Sequence, residues 1–176
     1  MHLGTHMKQF FFILCIGTLL FAKIEPFKTI QSDFTQKVTN DQNKTIAYTG
    51  TFYATTDKKA LWVYEKPISK KIYFNGTKVM IIEPELEQVI ITTLENTPNI
   101  TALLQEAKEV SAHKYITKFM DVTYNIEAHE SIEKVSYRDK LDNKVELFFT
   151  NQSTNIFLDD ELFIANIPKG YDIVRE

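Results

Sequence analysis

Residues 70–94, KKIYFNGTKVMIIEPELEQVIITTL, decide the fold. They contain three runs that are apolar at consecutive positions, residues 72–74, 79–82 and 89–91. Asn75-Gly76, between the first two runs, favours a two-residue hairpin turn because both residues tolerate positive φ. A strand with one face exposed to solvent alternates apolar and polar residues instead. These strands are therefore expected to be covered on both faces or to line an apolar space.

The apolar pattern leaves two structures open. One is a barrel filled by its own side chains, which the pattern alone favours, and the other is a barrel that holds an apolar ligand beneath covering helices.

Short β runs recur on both sides of this stretch, with no linker, repeat or low-complexity tract between them. The runs are residues 46–54, 60–65, 70–74, 78–83, 88–94, 115–119, 122–128, 132–137, 144–150, 156–158, 163–167 and 171–174. Two other segments show helical spacing of their apolar residues: 24–38, and 99–108 after Pro98. The sequence therefore predicts one mostly β domain, residues 23–176, with an antiparallel sheet of about 10–11 strands drawn from these runs, an N-terminal helix and a short internal helix.

The first 22 residues have the pattern of a secretory signal. Lys8 precedes an uncharged apolar run at 10–22, shorter than the roughly 20 residues that span a bilayer. We expect cleavage near Ala22 and a mature periplasmic chain, with residues 1–6 a cloning remnant or an over-long start. Cys15, the single cysteine, lies in this segment and is preceded by a leucine, which argues against lipid anchoring.

Charge and motif content exclude several function classes. The chain has 20 Lys+Arg and 23 Asp+Glu, and loss of Lys8 leaves 19 against 23, so nucleic acid is not expected as a partner. His113 and His129, the histidines beyond the signal, are not accompanied by a serine–glycine elbow or by metal-ligand spacing. We therefore predict no catalytic residue, metal or cofactor, and no enzymatic activity.

An ordered series of short motifs covers about residues 27–174. The motifs are Ser32-Asp33-Phe34-Thr35-Gln36-Lys37-Val38, Gly50-Thr51-Phe52, Leu61-Trp62-x-Tyr64-x-x-Pro67, Asn75-Gly76, Pro84-x-Leu86-x-Gln88-Val89, Asn96-Thr97-Pro98 and Phe163-x-x-x-x-Pro168-x-Gly170-x-x-x-Val174. In this order and at these intervals the sequence resembles the outer-membrane lipoprotein carrier family, LolA.

The resemblance implies an incomplete antiparallel β-barrel with helices over its apolar concave face. It also implies a monomeric periplasmic protein that takes the acyl chains of lipoproteins from an inner-membrane ABC transporter and passes the lipoproteins on to an outer-membrane acceptor. The acyl-chain cavity would be lined by Phe52, Trp62, Tyr64, Met80, Ile82, Val89, Ile91 and Phe148, beneath a lid of Ile100, Leu103 and Leu104.

Two positions depart from the family pattern. Ala60 stands where an aromatic residue usually precedes the tryptophan by two, and Thr56 stands where the family has a strand arginine that is expected to latch the cover. Two other functions stay open: a domain of the same fold that senses or receives lipid or lipoprotein at the envelope without shuttling it, and an enzyme acting on lipid or peptide.

Overall fold

The computed structural model describes residues 26–94 and 100–175, without the side chains of residues 100, 102 and 105. The predicted signal segment lies outside these residues. The described chain forms twelve strands and one short α-helix, α1 (Ile100–Gln105). The strands are β1 (Thr29–Thr39), β2 (Thr45–Thr55), β3 (Lys59–Lys66), β4 (Lys70–Asn75), β5 (Lys78–Glu83), β6 (Gln88–Thr93), β7 (Lys108–Ser111), β8 (Lys114–Phe119), β9 (Val122–Ala128), β10 (Ile132–Arg138), β11 (Lys144–Thr154) and β12 (Asp172–Arg175).

The strands form one open sheet in the order β12-β6-β5-β4-β3-β2-β1-β11-β10-β9-β8-β7. Neighbours are antiparallel except β12, which pairs in parallel with β6. β1 lies between two meanders, β2–β6 and β7–β11, so it joins them into one sheet. Because β12 and β7 stand at opposite ends of this order, the prediction of a mostly β, open antiparallel sheet is confirmed, with twelve strands where about 10–11 were expected.

The predicted N-terminal helix at 24–38 is wrong, because Thr29–Thr39 is a strand paired on both sides. A spacing of four residues fits either structure, since four is close to one helical turn and is also a multiple of two. Ile30 and Phe34 therefore point to the same face in the strand as well. Between them lies Ser32, fully buried, whose hydroxyl donates to the carbonyl of Thr150 at 2.8 Å, and this buried polar residue hid the alternation.

The predicted internal helix is also shorter than expected. α1 has six residues and ends at Gln105, and the last residue of the predicted helix, Lys108, begins β7. The structure therefore does not support the two-helix cover. The predicted strands 156–158 and 163–167 are irregular, with a 3-10 turn at Asp160–Phe163 between them.

Each face of the sheet carries its own apolar cluster. The inner face holds the larger cluster, built around Phe34, Phe52 and Leu147 and including Leu104 of α1. The outer face, around Leu61 and Val89 of the sheet, is covered by residues 158–171, which place Phe163 at 4% exposure. The consecutive apolar residues of the sequence thus serve two clusters, as expected for strands covered on both faces.

Gly50 sets the distance between β2 and β3. A Cβ atom at this position would lie 1.8 Å from the carbonyl oxygen of Val63 and 3.1 Å from the ring of Phe34. The pairing register of the two strands also shifts between Thr49 and Gly50. Glycine is required here because the backbone of β3 occupies the place of a side chain.

Candidate functional site

The inner face encloses a cavity of about 230 Å³. Residues from β1–β4, α1 and β8–β11 line it, so both meanders contribute walls. The lining residues are Gln36, Ala54, Lys58, Lys59, Ala60, Trp62, Tyr64, Ile72, Phe74, Gly76, Leu103, Leu104, Thr117, Tyr124, Ile126, Val135, Tyr137 and Leu147.

One wall of the cavity is a packed set of aromatic rings around Trp62. The centroid of this ring lies 4.2 Å from that of Phe52 and 5.0 Å from that of Phe34, the latter in an edge-on geometry. Close aromatic pairs of this kind hold each ring in a defined orientation. The wall therefore offers a firm apolar surface to a ligand.

One part of the cavity is lined by Tyr64, Tyr124, Tyr137 and Gln36. We call this part the tyrosine end. Tyr64 donates a hydrogen bond from its hydroxyl to Oε1 of Gln36 at 3.0 Å, and the rings of Tyr124 and Tyr137 lie 4.9 Å apart. Burial raises the pKa of Tyr64, and repulsion from Tyr137 and Tyr48 adds to the effect. Burial likewise raises the pKa of Tyr137 to about 12. These hydroxyls are therefore protonated, and able to donate, at any physiological pH.

A lysine sits against the same group of rings. The ammonium of Lys70 lies 4.6 Å from the ring centroid of Tyr64 and 5.6 Å from that of Tyr48. Contacts at this distance attract a cation to the ring face, so Lys70 helps to fix these two rings.

Elsewhere α1 closes the cavity. Leu103 and Leu104 are buried and line it, and the hydroxyl of Thr101, itself buried, donates to the carbonyl of Thr55 at 3.5 Å. Lys59 lines the cavity wall, but its ammonium lies 2.7 Å from Asp160 and 3.2 Å from Asp57.

The structure brings together only part of the predicted site. Trp62, Tyr64, Leu103 and Leu104 line the cavity. Phe52 belongs to the same inner cluster and packs against Trp62. The side chain of Ile100 lies outside the described residues. The binding of acyl chains by these residues stays a prediction.

Four predicted lining residues, Met80, Ile82, Val89 and Ile91, lie in the outer cluster instead. Two residues that pair across neighbouring strands point to the same face of the sheet. In both of these hairpins, each even-numbered residue pairs with an odd-numbered one. Ile72, on the inner face, thus pairs with Ile81 rather than with Met80 or Ile82, and Ile81 pairs with Ile90.

Phe148 also lies away from the cavity. Its neighbours Leu147 and Phe149 belong to the inner cluster, and successive side chains of a strand point to opposite faces. The ammonium groups of Lys37 and Lys134 lie 5.2 Å and 5.3 Å from its ring centroid. The ring of Phe148 therefore packs against lysine side chains on the face opposite the cavity.

Thr56 is exposed, and its backbone N–H donates to the carbonyl of Lys28 at 3.0 Å. It follows Thr55, whose carbonyl accepts the hydrogen bond from Thr101 of α1. A role for Thr56 as a latch stays a prediction.

Sequence reasoning missed Gln36, Tyr124, Tyr137 and Thr101. Gln36 belongs to a quoted motif, and only the assignment of β1 as a helix hid its position. Thr101 was visible as a polar residue beside Leu103 and Leu104 in the predicted helix. Tyr124 and Tyr137 lie in β9 and β10, which face β3 across the interior, and nothing in their local sequence signals that contact.

The histidines lie outside the cavity lining. The rings of His113 and His129 stack with centroids 4.0 Å apart, and Nδ1 of His129 lies 2.9 Å from a carboxylate oxygen of Glu133. Over residues 26–94 and 100–175, no three His, Cys, Asp or Glu side chains are grouped so as to hold a metal ion. In the same part of the chain, no helix is long and apolar enough to cross a membrane.

The family profile described as "Outer membrane lipoprotein carrier protein LolA" matches residues 25–115. An outer-membrane lipoprotein carrier protein of Campylobacter jejuni is 38% identical over 172 residues, covering 96% of this chain and 100% of the relative. The chain belongs to the LolA family.

Other LolA relatives agree with this assignment. Carrier proteins of the same name from Wolinella succinogenes and Helicobacter hepaticus are 36% and 30% identical, covering 93% and 89% of this chain and 96% and 88% of their own lengths.

Solved structures with this fold include an uncharacterized conserved protein from Thermus thermophilus, at TM-score 0.54 and 11% identity, over 85% of this chain and 91% of that one. A DUF1329 family protein from Desulfovibrio piger matches at TM-score 0.50 and 11% identity, over 80% and 91%. At such low identity these two structures show the fold alone.

Proposed function

We propose that this protein is a periplasmic carrier that holds lipoprotein acyl chains in its inner cavity and shuttles lipoproteins towards the outer membrane. The observation that carries the proposal is an apolar, aromatic-walled cavity inside an open sheet, in a chain that belongs to the LolA family. The relatives are named carriers, which favours shuttling over sensing or catalysis.

The driving force for loading is the transfer of methylenes from water. Each buried methylene contributes roughly 0.8 kcal/mol, so a C16 chain gains roughly 12 kcal/mol when it is fully buried. The cavity of about 230 Å³ lies below the roughly 300–1,000 Å³ of ordinary small-molecule pockets. A lipoprotein with several acyl chains therefore requires the walls to move apart.

The open sheet supplies the freedom for that movement. Its end strands, β12 and β7, are not joined to each other, so the two meanders are able to separate without breaking a closed ring of hydrogen bonds. We propose that an inner-membrane ABC transporter loads the monomeric carrier and that an outer-membrane acceptor unloads it. No covalent step is needed in the carrier itself.

Trp62 provides the test, because it is the single tryptophan and it lines the cavity. The mature chain is titrated with a diacylglycerol-modified peptide whose acyl chains carry bromine atoms, which quench indole fluorescence on contact. We expect saturable quenching, and unbrominated peptide of the same sequence should compete it away.

A matched control moves the reporter to the outer face. In Trp62→Phe/Tyr171→Trp, the single indole lies in the outer cluster, where Tyr171 packs. It should escape quenching while the lipopeptide still binds. Equal quenching at both positions, or none in the parent chain, would contradict the proposal.

A further inference from the structure

We propose that the tyrosine end of the cavity recognises the carbonyl groups that link acyl chains to their head group, through hydrogen bonds donated by Tyr137 and by the amide of Gln36, which Tyr64 holds in place. This inference rests on the proposed function and deepens it. It assigns a polar subsite for ester or amide carbonyls to a cavity whose lining is mostly apolar.

The first support is the convergence of these side chains from distant strands. Tyr64 lies on β3, Gln36 on β1 and Tyr137 on β10, and Gln36 accepts the hydrogen bond from Tyr64 at 3.0 Å. Tyr137 is close enough to Tyr64 to oppose its ionisation. All three line the one cavity, so a ligand inside it reaches all three.

The second support is donor capacity. Gln36 uses its amide oxygen to accept from Tyr64, which leaves both N–H groups of its amide to donate. Among the described residues, the Tyr137 hydroxyl makes no hydrogen bond to another residue, and its ring packs against Tyr124. Tyr137 borders the cavity, where a ligand carbonyl would supply its hydroxyl with an acceptor.

The third support is the kind of group that these donors suit. An ester or amide carbonyl is a neutral acceptor, and none of the described residues that line the cavity is a carboxylate that would compete for the donors. The hydrocarbon next to such a carbonyl would meet the ring of Trp62, which Phe34 supports from behind. The hydrocarbon and the carbonyl of one ligand would therefore each contact a part of the cavity that matches its polarity.

The test uses two lipids that differ only in the carbonyl, 1-palmitoylglycerol (ester) and 1-O-hexadecylglycerol (ether), with Trp62 fluorescence as the readout. The parent chain should bind the ester about five- to tenfold more tightly, as one or two hydrogen bonds would give. In Tyr137→Phe this preference should fall, and in Gln36→Leu/Tyr64→Phe/Tyr137→Phe, which removes every donor of the subsite, it should reach about one.

Each outcome decides a separate point. Equal binding of both lipids by the parent overturns the carbonyl subsite and leaves the acyl-chain cavity standing. Binding of neither lipid overturns the proposed function as well. An ester preference that survives in the variant lacking Gln36, Tyr64 and Tyr137 would place the recognition elsewhere, and Tyr171→Phe on the outer face is the control that should retain the preference.

Discussion

Replacement of Gly50 by alanine tests whether the spacing of β2 and β3 builds the cavity wall. The new Cβ would lie 1.8 Å from the carbonyl oxygen of Val63, whereas real Cβ atoms essentially never come within 3.0 Å of other heavy atoms. The strands must therefore separate by about 1.2 Å, the difference between these two distances. Such a shift breaks about two ladder hydrogen bonds at about 1 kcal/mol each and adds an overpacking cost of about 1–3 kcal/mol.

Gly50→Ala should thus lower the free energy of unfolding by about 3–5 kcal/mol, a large part of the roughly 5–15 kcal/mol of an ordinary domain. It should also weaken lipid binding, because Phe34, which meets the new Cβ at 3.1 Å, supports Trp62 in the wall. Urea unfolding followed by Trp62 fluorescence measures the first effect, and lipopeptide quenching measures the second.

Gly76→Ala is the matched control, since Gly76 has φ +60° but open space around a Cβ. It should cost only about 1 kcal/mol, the price of a left-handed conformation for an L residue. If Gly50→Ala lowers the free energy of unfolding no more than Gly76→Ala does, the close approach of β3 to Gly50 does not determine the position of the cavity wall, and the prediction is wrong.

Ala60→Phe places a ring inside the cavity and should reduce lipopeptide binding about tenfold with little change in Tm; unchanged binding would mean that the chains enter elsewhere. Thr101→Val removes the hydroxyl that donates to Thr55 and should cost about 1 kcal/mol and speed amide exchange in α1, whereas Thr101→Ser should not; equal exchange in both variants would refute this. The raised pKa of Tyr137, about 12 in the folded chain against about 10 unfolded, contributes stability that is complete below pH 10 and lost from about pH 10 to 12. The urea concentration at the unfolding midpoint should therefore fall as the pH rises from about 10 to 12, and it should fall less in Tyr137→Phe. An equal decrease in both proteins would show that Tyr137 is not the group responsible.

The hairpins of residues 70–94 were predictable because local signals and strand pairing agree there. Consecutive apolar residues predicted strands covered on both faces, and a two-residue turn with Gly76 at positive φ does join β4 to β5, although it lies at Gly76-Thr77 because Asn75 pairs with Lys78. Which of these apolar residues point into the cavity depends on the pairing register of the strands, and the local sequence does not specify that register. Met80, Ile81 and Ile82 are all apolar, and only the register assigns Ile81 to one face and its two neighbours to the other.

The tyrosine end depends on contacts between strands that are far apart in sequence. Tyr64 and Tyr137 meet only because the two meanders face each other across the cavity, and no local period records such a contact. For a related reason the sequence predicted a helix where β1 lies. The four-residue spacing of Ile30 and Phe34 fits both a helix and a strand, and the pairing of β1 with the distant strand β11 decides for the strand.

The position of β1 has a consequence for how the chain folds. Its pairing with β11 joins residues as far apart as Ile30 and Thr154, while each meander forms from sequence neighbours. Loop closure over such a distance is slow, so the two meanders should assemble first and the β1–β11 ladder should limit the folding rate. A chain still being synthesised would possess the β2–β6 wall but no enclosed interior, so it would have nowhere to hold cargo until its synthesis had passed residue 154.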